Sequence, residues 1–370
     1  MLLAWMPLVT YSGTRQVLRV GPNEAIRSIS VAAAKAQDGD VIDVAAGDYL
    51  ADVALWTKDR ITVRGVGGRV RLIASGASAE QKAIWVVRGG SMTVENIEFI
   101  GARVADLNGA GIRFEKGHLI VRNCAFFDNE NGILTSGDKT AELEIEGSEF
   151  GNNGAGDGRS HNLYVGPIRK LTVTGSYSHH ARAGHLLKSR AAENYIAYNR
   201  LTDEIGGRAS YELEFPNGGL AYVMGNIIQQ GPATENPYLI SFGTEGYAWP
   251  RNEIFLVNNT LVDDRKPSGI FFRVNPGANR IVAYNNLLVG VGSLQAAGPG
   301  EYAGNNSVNR SALSTDFRLD HLISFREELA DPGQANGISL AMTREYIHPK
   351  QTRKLADKVP LPGAQQSLAQ

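Results

Sequence analysis

The sequence has one cysteine, almost no net charge and no long apolar run. The single cysteine, Cys124, excludes an intrachain disulfide framework, and a lone cysteine in a β-rich chain reads as a small buried residue. A formal net charge of −1 gives no global pull towards nucleic acid or a charged membrane surface. No segment offers the ~20 consecutive apolar residues of a membrane span, and no basic stretch is interleaved with aromatics as a nucleic-acid-binding face would be. Neither a membrane span nor a nucleic-acid partner is expected, and the oligomeric state is left open. Residues 1–16, MLLAWMPLVTYSGTRQ, are apolar without a basic n-region and read as a weak or trimmed signal peptide or a disordered start.

What the chain has in quantity is glycine, 42 residues, often directly after a short apolar run. Those runs repeat: ITVRGV, MTVENIEF, LIVRNCAF, LEIEGSEF, LTVTGSYS, YIAYNRLT, AYVMGNII, IFLVNNTL and IVAYNNLL. They align on Gly65, Asn96, Asn123, Gly147, Gly175, Asn199, Gly225, Asn258 and Asn285, with steps from 24 residues (Asn123 to Gly147) to 33 (Gly225 to Asn258). Strand-bearing units at such a period predict a β-solenoid, its coils stacked at ~4.8 Å, with the Asn or Gly at a fixed inward corner. Ahead of GDVIDVAAGDY, residues Ala25–Ala36 predict an amphipathic helix that would cap the open end of the stack. The expected organisation is a capped solenoid over residues 17–295 and an irregular C-terminal closure packed on it over 296–370.

In this helix, in GDVIDVAAGDY and in the VxNN strand ends, the chain resembles the single-stranded right-handed parallel β-helix proteins of the pectate-lyase-like superfamily. The resemblance covers about residues 18–290 and matches no specific family motif. It implies an all-β fold with an elongated outer face suited to a polymer. It also implies Lys, Arg, His or Tyr as the working residues of a lyase or epimerase; an extracellular or periplasmic location is expected mainly from the function argued below.

A second strand precedes each corner: GILTSG, HNLYVG, HLLKSRA, YELEFPNGG, YLISFGTEG and GIFFRVNPG. Side chains alternate along a strand, so Ile133, Leu163, Leu187, Leu213, Ile240 and Ile270 form one inward column. Thr135, Val165, Ser189, Phe215, Phe242 and Phe272 form the next. The outward column between them reads Leu134, Tyr164, Lys188, Glu214, Ser241 and Phe271. A further outward column holds Arg190 and Arg273, and the preceding one Asn162 and Glu212. His161 and His185 fall at strand starts, and His179 and His180 in the turn before His185. Four of the seven histidines thus lie within residues 161–185.

This mixture fits β-elimination in a uronate-containing polysaccharide. The reaction needs a base for the proton α to the carboxylate, positive charge on the developing enolate and an acid for the leaving oxygen. Lys188, Tyr164, His185, His161 and Arg190 are the catalytic candidates; Asn162, Glu212, Glu214, His180 and Arg273 are the substrate-binding ones. Lys188 as base suits a neighbouring cation such as Arg190, while Glu214 works against it; a histidine base with Tyr164 as acid avoids that conflict. A C5 epimerase begins with the same proton. Glycoside hydrolysis is the alternative, with Glu212 and Glu214 roughly 6.6 Å apart at Cα on one strand. A non-catalytic polysaccharide-binding scaffold is the third reading. No metal site is expected, since the histidines lack zinc spacing. No cofactor is required, and calcium stays open through Asp157, Asp203, Glu204 and Glu245. The glycine-rich GAGDGR before His161 reads as a loop at the lip of the groove.

Overall fold

The computed structural model describes residues 15–292, 294, 297–355 and 359–369. The expected signal or disordered start therefore lies outside the described residues, apart from its last two. The chain winds as a parallel β-solenoid of about ten turns. One wall is a nine-stranded sheet running from Ala54–Trp56 to Ile270–Val274. The other is a 21-stranded sheet folded into two legs, such as Glu193–Ala197 and Arg200–Thr202 within one coil. Within both walls neighbouring strands pair in parallel.

The bend between the two legs explains the repeat. Asn96, Asn123, Gly147, Gly175, Tyr198, Gly225, Asn258, Asn285 and Gly304 all take φ between 47° and 65° there. Gly and Asn occupy this left-handed region at least cost, so from Asn96 onward the aligned Asn/Gly position marks the backbone bend, whereas Gly65 lies within the strand Ile61–Ile73 and does not. In the sixth coil the bend residue is Tyr198, and Asn199 stands one place later, which corrects the alignment there. That next column points inward and carries the bonds along the stack. Ser176 N–H donates to Asn199 Oδ1, Asn199 N–H to Asn226 Oδ1, Asn226 N–H to Asn259 Oδ1 and Asn259 N–H to Asn286 Oδ1, all at 2.9–3.0 Å.

Inside the coils a single apolar core runs the length of the stack. Phe99, Phe126 and Phe150 stack ring on ring at 5.0 and 4.8 Å, with Trp85 edge-on to Phe99. The one α-helix among the described residues is Ile29–Lys35, shorter than Ala25–Ala36, with the Ser28 hydroxyl accepting from Val31 N–H at its start. Its buried Ile29, Ala32 and Ala33 join the same core. Sheet pairing continues through Asn306–Val308, one coil beyond residue 295. The chain after it lies against the outer face of the later coils. Leu340 and Met342 pack with Tyr222 and Phe255, and Leu313, Phe317 and Leu361 with Ile227, Val262 and Leu287.

Candidate active site

The nine-stranded sheet carries the candidate residues, and its register follows the sequence columns through five coils. Leu134 pairs with Tyr164, Tyr164 with Lys188, Lys188 with Glu214 and Glu214 with Ser241. The next partner of Ser241 is Arg273, two residues beyond the expected Phe271, which is buried. The inward columns shift with it: Phe272 pairs with Ile240 and Val274 with Phe242. Ile270, Phe271 and Phe272 are consecutive apolar residues and give no period-2 signal to fix the register.

At the centre, Lys188 lies between two carboxylates, with Nζ 3.2 Å from Glu214 Oε2 and 3.2 Å from Glu245 Oε1. Arg190 reaches the same Glu245, Nη1 to Oε2 at 2.8 Å and Nη2 to Oε1 at 3.0 Å. Its Nε–H donates to the Tyr164 hydroxyl oxygen at 3.3 Å, and another guanidinium nitrogen donates to Asn217. Trp249 Nε1–H fixes the Arg190 carbonyl at 3.0 Å. Glu245, Trp249 and Thr244 sit in the 243–252 loop, which leaves the coil on this face. Glu245 entered the sequence reading only as a loop carboxylate, because nothing in a loop's composition says where it folds back.

Beneath this layer lies a pair of buried histidines. His161 Nδ1 accepts the His185 backbone N–H at 3.0 Å, so a neutral His161 carries its proton on Nε2. Burial, together with the charges of His185, Lys188 and Arg190, holds its pKa well below the usual imidazole range. The His161 ring stands edge-on to Tyr164, centroids 4.8 Å apart, and to His185 at 4.3 Å. His185 Nε2–H donates to Glu214 Oε2 at 2.8 Å, while its Nδ1 is buried without a partner. Burial lowers the His185 pKa by more than the hydrogen bond and charge of Glu214 raise it. For Glu214, burial alone would raise the carboxyl. His185, Lys188 and Thr244 outweigh that and hold it at about 2. The consistent state is an ionised Glu214 countered by Lys188, beside a neutral His185.

Three substrate-binding candidates stand elsewhere. Asn162 is fully buried as a rung of a second ladder: its Oδ1 accepts from Asn153, and its Nδ2 donates to Ser178 and the His179 carbonyl. The equivalent position in its coil is Ala181, which cannot bond, so Asn162 fills the gap from the neighbouring strand. His180 bonds His179 and the Ile205 carbonyl at the opposite end of its coil segment, away from Lys188. Glu212 does not share an outward face with Glu214. It is fully buried, neither oxygen has a partner, and burial with the nearby Asp203 and Asp263 pushes its carboxyl well above the ordinary range. Asp203 is itself raised to about 7, chiefly by burial. Glu212 is the second residue of the strand Tyr211–Phe215, in a column with Leu186 and Leu239 that is covered throughout.

The oxygen groups considered for calcium are not brought together. Glu204 is bonded by Arg200, Thr202 and Tyr177, and Glu245 by Lys188 and Arg190. Among the described residues, the group whose ligand atoms lie within 4.8 Å of one another is His118, Glu142 and Glu144, half-buried on the other wall.

These walls and bends define the class: a parallel β-helix protein with the pectate-lyase-like fold. No family model matches the chain, and no curated protein matches it in sequence. Among solved structures it is similar to pectate lyase Pel9A, at 13% identity and a TM-score of 0.58 over 82% of this chain and 84% of that one. It is also similar to Geobacillus virus E2 ORF18, at 13% identity and a TM-score of 0.51, covering 73% of this chain and 52% of that one. Among the described residues no helix is long and apolar enough to cross a membrane.

Proposed function

We propose that the protein is an enzyme that cleaves a uronate-containing polysaccharide by β-elimination on the face formed by Tyr164, Lys188 and Arg190. The observation that carries this reading is the carboxylate of Glu245, held at 2.8–3.2 Å by Lys188 and Arg190 together on the outer face of the sheet. A pair of cations that converges on one loop carboxylate can receive a substrate carboxylate in its place. It then neutralises the charge that develops as the α proton leaves. In the elimination a base takes that proton, the carbon–oxygen bond to the leaving sugar breaks as the double bond forms, and the leaving oxygen gains a proton. Tyr164 and Lys188 are the groups on this face that can move a proton. The Tyr164 oxygen accepts from Arg190, which leaves its own O–H to point elsewhere. His161, His185 and Glu214 lie behind them and act as positioning residues. The fold shared with a pectate lyase supports a carbohydrate substrate at the level of architecture, and an extracellular or periplasmic location is part of the same proposal.

The test is absorbance near the unsaturated-uronate band across a panel of acidic polysaccharides. Product is expected from the wild type on at least one substrate, and is expected to be lost in Lys188→Ala and Tyr164→Phe. Glu245→Gln should lower KM by up to about fivefold, the worth of a surface ion pair. New reducing ends without that absorbance, lost in Glu214→Gln, would establish a hydrolase instead. Silence in both assays would sink the elimination reading.

A further inference from the structure

Along the outward column, Arg113 and Leu134 precede Tyr164. Beside them opens a cavity of about 460 Å³ whose wall includes Arg113, Arg159, Arg190 and Tyr164, with no Asp or Glu. That volume lies within the range of small-molecule sites.

The charges around it do not balance. Arg190 is offset by Glu245. Arg159 is exposed, and the bond at this residue is its backbone N–H to Asp157 Oδ1; its guanidinium makes no ion pair among the described residues. Arg113 is half-buried, and its Nε has no acceptor. Burial lowers its pKa, opposed by the charge of Glu115. Glu115 is itself bonded to Lys82 and Arg88. A partly desolvated guanidinium without an anion is costly to keep, and the column does not demand a charge there: Val86 and Leu134 are its neighbours on either side.

We propose that this cavity binds the anionic group, carboxylate or sulfate, of another sugar residue of the same chain, a few residues along from the one at Lys188. Arg113 is two strands from Tyr164 and three from Lys188, roughly 10 and 14 Å at the spacing of paired strands. The bound anion therefore belongs to a sugar other than the reacting one. Arg113 and Arg159 select an acidic chain without touching the chemistry. The inference rests on the groove being a glycan surface, and not on which bond is broken.

The experiment is affinity electrophoresis of the wild-type protein, Arg113→Gln, Arg113→Lys and Arg159→Gln. The gels contain polygalacturonate, alginate, their carboxyl-reduced forms or a sulfated galactan. Retardation is expected in at least one anionic gel and not in the reduced counterpart. A carboxylated or a sulfated winner says which anion the cavity takes. Arg113→Gln should weaken binding about tenfold or more, with partial rescue in Arg113→Lys, and exposed Arg159→Gln should weaken it without any change in melting temperature. The inference is overturned if both glutamine variants bind as the wild type does, if charged and reduced polymers bind alike, or if no polymer is bound. Retardation that depends on Arg113 without any unsaturated product would remove the elimination chemistry and leave this site standing.

Discussion

At Glu212 a carboxyl is enclosed with both oxygens unpartnered, near Asp203 and Asp263. Its folded-state pKa is raised well above the ordinary carboxylate range, and that of the neighbouring Asp203 is raised to about 7. A raised acid contributes stability that is fully present below its unfolded pKa, near 4, and is lost as pH rises through the folded value. Glu214 runs the other way: held at about 2, it stabilises above pH ~4 and loses that contribution as pH falls towards 2. Glu212→Gln keeps the shape and removes the proton. It should raise the melting temperature, by more at pH 8 than at pH 5, as thermal unfolding at the two pH values will show. An increment that does not grow with pH would mean that Glu212 is paired in solution. The sequence places this residue wrongly because alternation reports which face a side chain takes and not what covers it: Glu212 lies inside the strand Tyr211–Phe215, and its column, with Leu186 and Leu239, is buried. Tyr164 and Glu214 are legible because each is flanked by two inward apolar residues, and Lys188 because Leu187 and the small Ser189 flank it.

Among the elements, the inward Asn ladder joins one coil to the next. Asn226 Oδ1 accepts from both the backbone and side-chain N–H of Asn199, and its Nδ2 donates to the Ile196 carbonyl and Asn259 Oδ1. Replacing Asn226 by Ala strands the two buried Asn199 donors on one side and takes the donor from the Ile196 carbonyl on the other, and should cost about 2–4 kcal/mol at one to three per orphaned group. Urea unfolding would measure it; a loss below 1 kcal/mol would show that the coils are held by apolar packing alone. The ladder's existence can be read from the recurring Asn, but its column cannot. In VNNT and YNNL two asparagines stand side by side, one at the bend and one in the ladder. In AYNR the bend falls on Tyr198, which the pattern gives no reason to choose. Asn162 was assigned to the groove for a related reason: its place in the second ladder depends on a missing rung at Ala181, a fact of stacking between coils.

For the molecule as a whole, the segment after Val308 covers apolar surface on the later coils. Tyr222, Val257 and Phe255, with Ile227, Val262 and Leu287 in the second patch, are buried against it. A chain ending at residue 308 should expose both patches and either precipitate or bind a hydrophobic dye strongly. A soluble product that binds no dye would mean that this covering is dispensable. The fading repeat predicts a closure packed on the solenoid but not which surface it covers, because its contacts join residues more than a hundred positions apart, as Asn336 to Tyr222 does.

The register of the nine-stranded sheet also has a metrical consequence. Arg113, Tyr164, Lys188, Glu214 and Arg273 stand on one line, and a line of paired strands offers positions only at whole multiples of a single interval. A glycan lying along that line has its own interval, set by ring size and linkage. The two scales coincide at some coils and drift apart at others, as the divisions of a vernier do. For the proposed glycan substrate, the coils that carry charge would therefore favour one linkage over another before any pocket is shaped to a sugar.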